Sequence, residues 1–456
     1  MAEPTPDPLW AALAARGLPV EGLSPEAFAV LRRYAGRLAA EGLLADPWDL
    51  LCPAVVRTTP DEVRRLAATV PVPPPAPAPE PEPDPAPAPS PGPFPTAVLA
   101  PLLAGHARWA RRLLGAGPVY GLMRDGGLLA DAFAAATPGA VGRRLWLSRR
   151  LCLVAALAGP DDREGLVNLL VRARGHPPRL AEAAAALGVA DEGGPPGLDP
   201  DAPLASADLP ALLDWLAAGR RRAAVADRIA AVRAGILRHL RAEGALDGPA
   251  LSLLDVGYAA TVQTALARLL AAEGIGIPLR GAYLVTTPGA VWAHRAGGSA
   301  RGFLADFGAP TDFAATVLRC REVIEALLAP GDGPLVGHGP DGEPLTAPPV
   351  LPADQRAAVA DVQRAALAAV AALPPGAEPT AAAARALVRR LLTAPTADEA
   401  ARIGGWLYDD PATIGPPRRL AKIGGGSPDP AALRDAPRDL VLWPAAAALL
   451  LRSGRI

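Results

Sequence analysis

From residue 97 onward, short apolar runs alternate with longer stretches in which apolar residues recur every three or four positions. The run Val119-Tyr120-Gly121-Leu122-Met123 is the length of a buried strand and stops at Arg124-Asp125-Gly126-Gly127, after which LLADAFAAA takes up helical spacing. Leu145-Trp146-Leu147 repeats the arrangement, ending at Ser148-Arg149-Arg150 before a second apolar helix. A third apolar run, Leu251-Ser252-Leu253-Leu254-Asp255, continues through residues 256–261 into a helix over about 261–273, and residues 281–286 form a fourth. Strand, loop and helix in this order predict a parallel sheet whose functional loops sit at the strand C-termini.

Between these runs the pattern is helical. Segments 162–173, 179–187, 208–218 and 220–243 surround the loop DEGGPPGLDPDAP, which predicts a helical insertion over about 158–248. Beyond 310, helical spacing covers 313–329, 353–372, 379–393 and 397–406, with a hairpin-like piece at Leu335-Val336-Gly337-His338 and Pro344-Leu345. Upstream, Ser24-Pro25-Glu26 and Thr59-Pro60-Asp61-Glu62 read as helix starts, each with a cap residue, proline in the first turn and an acid behind it. The expected architecture is therefore an α/β, Rossmann-like parallel sheet with a helical insertion and a helical C-terminal region, plus a small N-terminal all-α module. Its parts are a helical module over 1–70, a proline-rich linker over 71–95, an α/β domain over 96–310 and a mainly helical region over 311–456 that packs on the α/β domain.

Composition sharpens this division. Of 55 prolines, 14 fall within residues 71–95, so that segment forms no helix or central strand and should be a polyproline II spacer of about 3.1 Å per residue. Aromatic residues make up only 4% of the chain, which favours helices packed through small side chains. Lys+Arg 45 against Asp+Glu 46 leaves no basic field for nucleic acid. Lys422 is the only lysine, so a Schiff base or a phosphate-loop lysine has a single candidate, and it lies outside any Walker pattern. Cys52, Cys152 and Cys320 are odd in number and widely spaced, which predicts neither a disulfide framework nor a zinc site. The absence of a long apolar run predicts a soluble, cytoplasmic protein with no membrane span.

Candidate chemistry concentrates at the strand ends. In LLDVGYAAT an apolar strand delivers Asp255, Gly257 permits a tight turn, and Thr261 opens the next helix. Backbone N–H groups of such a turn, the helix dipole and a threonine hydroxyl together make an anion cradle, with Asp255 placed to hold a sugar hydroxyl or a metal ion. Arg124 can clamp phosphate bidentately while Asp125 orients it or binds a metal, with Gly126 and Gly127 leaving the backbone accessible. Ser148, Arg149 and Arg150 add a hydroxyl and two guanidinium groups after the next strand. Asp255 and Asp125 are the candidate catalytic acids. The five histidines form no metal-ligand pattern and read as structural, and Asp409 and Asp410 read as caps before a turn.

Several short motifs in order give a family resemblance. PLLAGHARW, VYGLMRDGGLL, LWLSRR, LLDVGYAATVQTAL, REVIEALLAPGDGPLVGH and LVLWP resemble the C-terminal half of bacterial predicted hydrolases of the haloacid dehalogenase (HAD) superfamily, a group associated with surface-polysaccharide synthesis. The resemblance spans about 350 residues. It implies a phosphorylated or nucleotide-linked sugar as ligand, Mg2+ as a possible cofactor and a glycosyltransferase as partner, and it brings Tyr258 and Gln263 into the binding set through the element D-x-G-[aromatic]-x-G-T-x-Q. Two positions depart from the family. No D-x-D-x-[TV] nucleophile motif is present, and the family's glycine before the threonine is Ala260. Two other readings fit the residues: a non-catalytic scaffold for a glycosyltransferase, and a phosphoribosyltransferase-like enzyme, since R-x-G-G followed by an acid, small residues and threonine matches the motif order of that fold.

Overall fold

The computed structural model describes residues 8–15, 32, 94–172, 178–307, 313–329, 331–374, 377, 379–409, 417–422, 433, 436 and 440–454. The linker up to residue 93 lies outside the described residues. So does the N-terminal module, apart from Arg32 and the helix α1 (Pro8–Ala15).

The α/β region opens with α2 (Leu99–Leu114), followed by β1 (Val119–Leu122), α3 (Gly126–Ala136), β2 (Gly142–Leu145) and α4 (Arg149–Ala155). The insertion contributes α5 (Arg163–Val167), α6 (Leu180–Ala186), α7 (Leu209–Leu216) and the long α8 (Gly219–Ala242). The sheet resumes with β3 (Leu251–Tyr258), α9 (Thr261–Ala272), β4 (Leu279–Thr286), α10 (Val291–Arg295) and β5 (Ser299–Ala305). Then come α11 (Phe313–Arg319), α12 (Arg321–Leu328), the hairpin β6 (Leu335–His338) and β7 (Pro344–Thr346), and the helices α13 (Ala353–Ala372), α14 (Ala381–Thr393) and α15 (Ala397–Ile403). The two-residue strands β8 (Leu407–Tyr408) and β9 (Arg418–Arg419) pair with each other, and α16 (Pro444–Arg452) is the last helix.

The five strands of the main sheet are all parallel, in the order β2-β1-β3-β4-β5. This is a Rossmann-like α/β fold. Strand alternation sorts the side chains onto two cores. Tyr120, Leu122, Leu251 and Leu253 face α4, α8 and α9, whereas Leu254, Val256, Ala282 and Leu284 face α2, α3 and the C-terminal helices.

The two edge strands depart from the sequence expectation. β2 runs over GRRL with Arg143 and Arg144 exposed, three residues ahead of the predicted apolar Leu145-Trp146-Leu147; only Leu145 belongs to both. Charged side chains on an edge strand discourage pairing with other chains, and they also remove the apolar signal. β5, SARGFLA, is the opposite edge and was not expected at all.

Low aromatic content is matched by close backbone packing. A Cβ on Gly121 of β1 would lie 2.1 Å from the carbonyl oxygen of Gly126, and one on Gly126 would lie 2.3 Å from the Leu254 carbonyl oxygen. The start of α3 therefore rests directly on β1 and β3, which only glycine permits at both positions. That contact draws the loop after β1 against the C-terminal part of β3.

Candidate functional site

The strand order reverses direction between β1 and β3. From β1 the chain passes through α3 to β2 on one side, and from β3 it passes through α9 to β4 on the other, with α3 and α9 on opposite faces of the sheet. Such a switch point leaves a crevice beyond the strand C-termini, where ligands bind in open α/β sheets. Gly121 is in register with Leu254 and β1 ends one residue later, so Arg124 and Asp125 leave the sheet beside the last residues of β3. Three of the predicted loops, after β1, β2 and β3, thus open at the same end of adjacent strands.

Asp255 is the centre of this arrangement. Its Oδ1 accepts a hydrogen bond of 2.8 Å from the Val256 N–H. Burial holds its carboxyl well above the usual range; Asp125 and Glu325 push it further in the same direction, while the Val256 N–H and Arg149 act against them. The residue as a whole is intermediate in burial. Asp125, Arg149 and Glu325 therefore all act on this one carboxyl.

The other predicted residues separate into those the crevice gathers and those it does not. The Arg124 guanidinium reaches Asp409: Nη2 donates to its backbone carbonyl at 2.9 Å and Nη1 lies 3.4 Å from Oδ2. Asp409, which the sequence suggested as a turn cap, is thus a partner of Arg124, and Asp410 lies outside the described residues. Ser148 caps α4, its Oγ accepting from the Leu151 N–H at 3.2 Å. Arg149 acts on Asp255, but Arg150 faces Arg228 of α8, whose proton affinity it lowers after burial. Gln263 leaves the predicted binding set. It is buried, with Nε2 donating to the Leu279 and Ser299 carbonyls and Oε1 accepting from the Tyr283 hydroxyl, so its amide joins α9 to β4 and β5.

Gly257 has φ +132°, and a Cβ there would meet the Val285 carbonyl oxygen at 2.0 Å, so the turn after Asp255 requires glycine. Ala260, where the resembling family has glycine, adopts the left-handed conformation at φ 51° and ψ 35° and caps α9 without a side-chain acceptor. The first N–H groups of α9 consequently have no side-chain cap, and Thr261 stands among these donors. A left-handed alanine costs about 1–2 kcal/mol. That cost offsets most of what a methyl group and a stiffer unfolded chain contribute. Ala260→Gly is therefore expected to change stability by less than about 0.5 kcal/mol, whereas Ala265→Gly at a buried position within the same helix costs about 1.5 kcal/mol. Urea denaturation of the two variants measures the difference.

Sequence reasoning missed Glu325 and Tyr408, and gave Asp409 only the part of a cap. The Tyr408 hydroxyl donates a short hydrogen bond to Glu325 Oε2, and Asp409 holds Arg124, so α12 and β8 close one side of the crevice. The Tyr258 hydroxyl is buried beside the Glu325 carboxylate, and burial and that carboxylate together hold its proton affinity well above the usual phenol range. These residues lie in the predicted helical region, where no strand-end pattern marked them. A narrow cleft lined by Arg124, Leu351, Gln355, Arg356 and Tyr408 adjoins this wall.

Among the described residues no three acidic, histidine or cysteine side chains converge as a metal-binding set. A magnesium ion at this place would have Asp125 and Asp255 as its protein ligands and would take the rest from water and phosphate oxygens, the usual manner for that ion. No helix of the described residues is long and apolar enough to cross a membrane. No protein-family model matches the chain, and no curated protein is significantly similar to it.

Proposed function

We propose that the crevice between β1 and β3 binds a phosphorylated or nucleotide-linked sugar. The observation that carries this reading is the meeting of three strand-end loops at the switch point, with Arg124 and Arg149 supplied from β1 and β2 and the uncapped start of α9 from β3. Arg124 and Arg149 would neutralise phosphate, and the N–H groups around Thr261 would add donors. Asp255, which retains its proton well above the usual carboxylate range, would donate it to a leaving oxygen or, with Asp125, hold Mg2+ between the acids and phosphate. The reaction class is hydrolysis or group transfer at a phosphorylated sugar. The resemblance to HAD-superfamily hydrolases supports a place in surface-polysaccharide synthesis, beside a glycosyltransferase partner.

Thermal unfolding in the presence of inorganic phosphate, glucose 1-phosphate and UDP-glucose, each with and without magnesium, tests the reading. A ligand at a hundredfold excess over its Kd stabilises by about 2.7 kcal/mol. Absence of stabilisation by every ligand would overturn the proposal and favour a scaffold that binds no phosphosugar.

A further inference from the structure

Past Leu145, which is paired with Leu122 of β1, the peptide groups of Trp146 are taken by two imidazoles in place of a neighbouring strand. The Trp146 N–H donates to His239 Nε2 of α8 at 2.9 Å, and His338 Nε2 of β6 lies 2.8 Å from the Trp146 carbonyl oxygen. These partners fix both tautomers. A carbonyl oxygen only accepts, so His239 Nδ1, 2.8 Å from the Gly342 carbonyl oxygen, carries the hydrogen and leaves Nε2 as the acceptor, whereas His338 carries its hydrogen on Nε2. The two rings stack at 4.8 Å. Leu147, next in the chain, is buried, and Ser148 then caps α4, so the held peptide leads directly to Arg149, the guanidinium that acts on Asp255.

The histidine pair responds unequally to protons. A proton added to His239 goes to Nε2, where it sets a second N–H against the Trp146 N–H and breaks the bond. A proton added to His338 goes to Nδ1 and leaves its donation to Trp146 intact. Two charged rings at this separation also repel each other. Burial lowers the proton affinity of both rings, more than their backbone hydrogen bonds to Gly342 and Trp146 raise it; at His338 the neighbouring His239 and Arg238 of α8 add to the lowering, and Glu343 of the hairpin turn opposes it. Arg143 of β2 is engaged by the Glu243 carbonyl oxygen. Both rings are therefore neutral at pH 7 and charge only below the ordinary histidine value of 6.5.

We propose that His239 and His338 are positioning residues for the loop that carries Arg149, and that protonation of His239 releases this loop and weakens anion binding in the crevice. This rests on the phosphosugar reading above, to which it adds control by pH.

The probe is whichever of inorganic phosphate, glucose 1-phosphate and UDP-glucose stabilises wild type most, with its Kd measured by calorimetry on the full chain at pH 7.5 and pH 5. Titration of the ligand itself cancels when proteins are compared. The rise in Kd on acidification should be about tenfold larger for wild type than for His239→Gln, whose amide oxygen accepts from Trp146 but takes up no proton. Direct attraction between the anion and a charged ring would act the other way and tighten wild-type binding in acid. His338→Gln keeps a donor for the Trp146 carbonyl and should retain the wild-type sign of the effect. Linkage requires the reciprocal change, so saturating ligand should keep His239 neutral to about one pH unit lower in a histidine NMR titration, which a ring of structural importance alone would not show. The NMR titration uses wild type and reports even where His239→Gln does not fold.

The control is disproved if wild type and His239→Gln lose affinity equally on acidification, if wild type binds more tightly in acid than the variant, or if the ligand leaves the His239 titration unmoved. A wild type that binds none of the three ligands overturns the phosphosugar reading itself, and the control with it.

Discussion

Replacing Arg124 with methionine is expected to weaken binding of inorganic phosphate and glucose 1-phosphate about a hundredfold, equivalent to about 2.7 kcal/mol. A charge-assisted, bidentate contact in a partly desolvated site is worth about that much. Arg124 has two partners to lose, the ligand and Asp409. Both side chains of the internal pair are largely withdrawn from solvent, at 16% and 17% exposure, so the variant also strands a carboxylate at a stability cost of about 1 kcal/mol. Combining Arg124→Met with Asp409→Asn removes that stranded charge. The double variant should regain most of the stability and none of the binding. Calorimetry with each ligand and urea unfolding of the three variants separate the two roles, and a double variant that recovers binding would assign Arg124 to structure alone.

The second large effect is loss of stability in acid, and it originates far from the loops. His106 of α2 is completely buried against Trp109 and Phe303. Burial lowers its pKa to about 4 from 6.5, outweighing a hydrogen bond with the Ala282 backbone that acts in the opposite direction. The unfolded chain therefore takes up a proton between pH 6.5 and 4 that the folded chain refuses. Stability contributed by the neutral ring is present above pH 6.5 and is lost progressively as pH falls to about 4, for a total of about 3 kcal/mol. His106→Leu should flatten this part of the profile and leave the fold at least as stable at pH 7. The difference between wild type and variant across pH 4–7 isolates His106, because the Asp255 contribution, which has the opposite sign, is common to both. Equal slopes in the two proteins would exclude His106 as the origin.

The remaining described histidines make contacts between elements of the fold. The rings of His239 in α8 and His338 in β6 stack at 4.8 Å and grip the Trp146 peptide from both sides. His239 Nε2 accepts from its N–H at 2.9 Å, and His338 Nε2 lies 2.8 Å from its carbonyl oxygen. The helical insertion and the β6–β7 hairpin are thereby tied to the backbone two residues ahead of Ser148. His294 bridges to the Ala300 backbone at the start of β5.

What the chain reveals without coordinates is whatever depends on local periodicity. The buried strands β1, β3 and β4, the insertion helices and the β6–β7 hairpin were all legible, because each carries its own hydrophobic spacing or turn residues. Arg124, Asp125 and Asp255 were legible as strand-end residues for the same reason. The edge strand β2 was read three residues late, since the exposed Arg143 and Arg144 erase the apolar signal over its start, and β5 was not read at all although Phe303, Leu304 and Ala305 are buried.

Tertiary structure alone decided which of the named residues share a site. Gln263 follows Asp255 by eight residues, yet its amide is spent on the backbones of β4 and β5. Glu325 and Asp409 stand seventy and more than a hundred and fifty residues away in sequence, yet they face Asp255 and Arg124. Helical spacing records which face of a helix is apolar; it does not record where that helix docks. Docking is set by long-range contacts such as Gly126 on the Leu254 carbonyl, where the absence of a side chain, rather than the presence of one, brings two loops together.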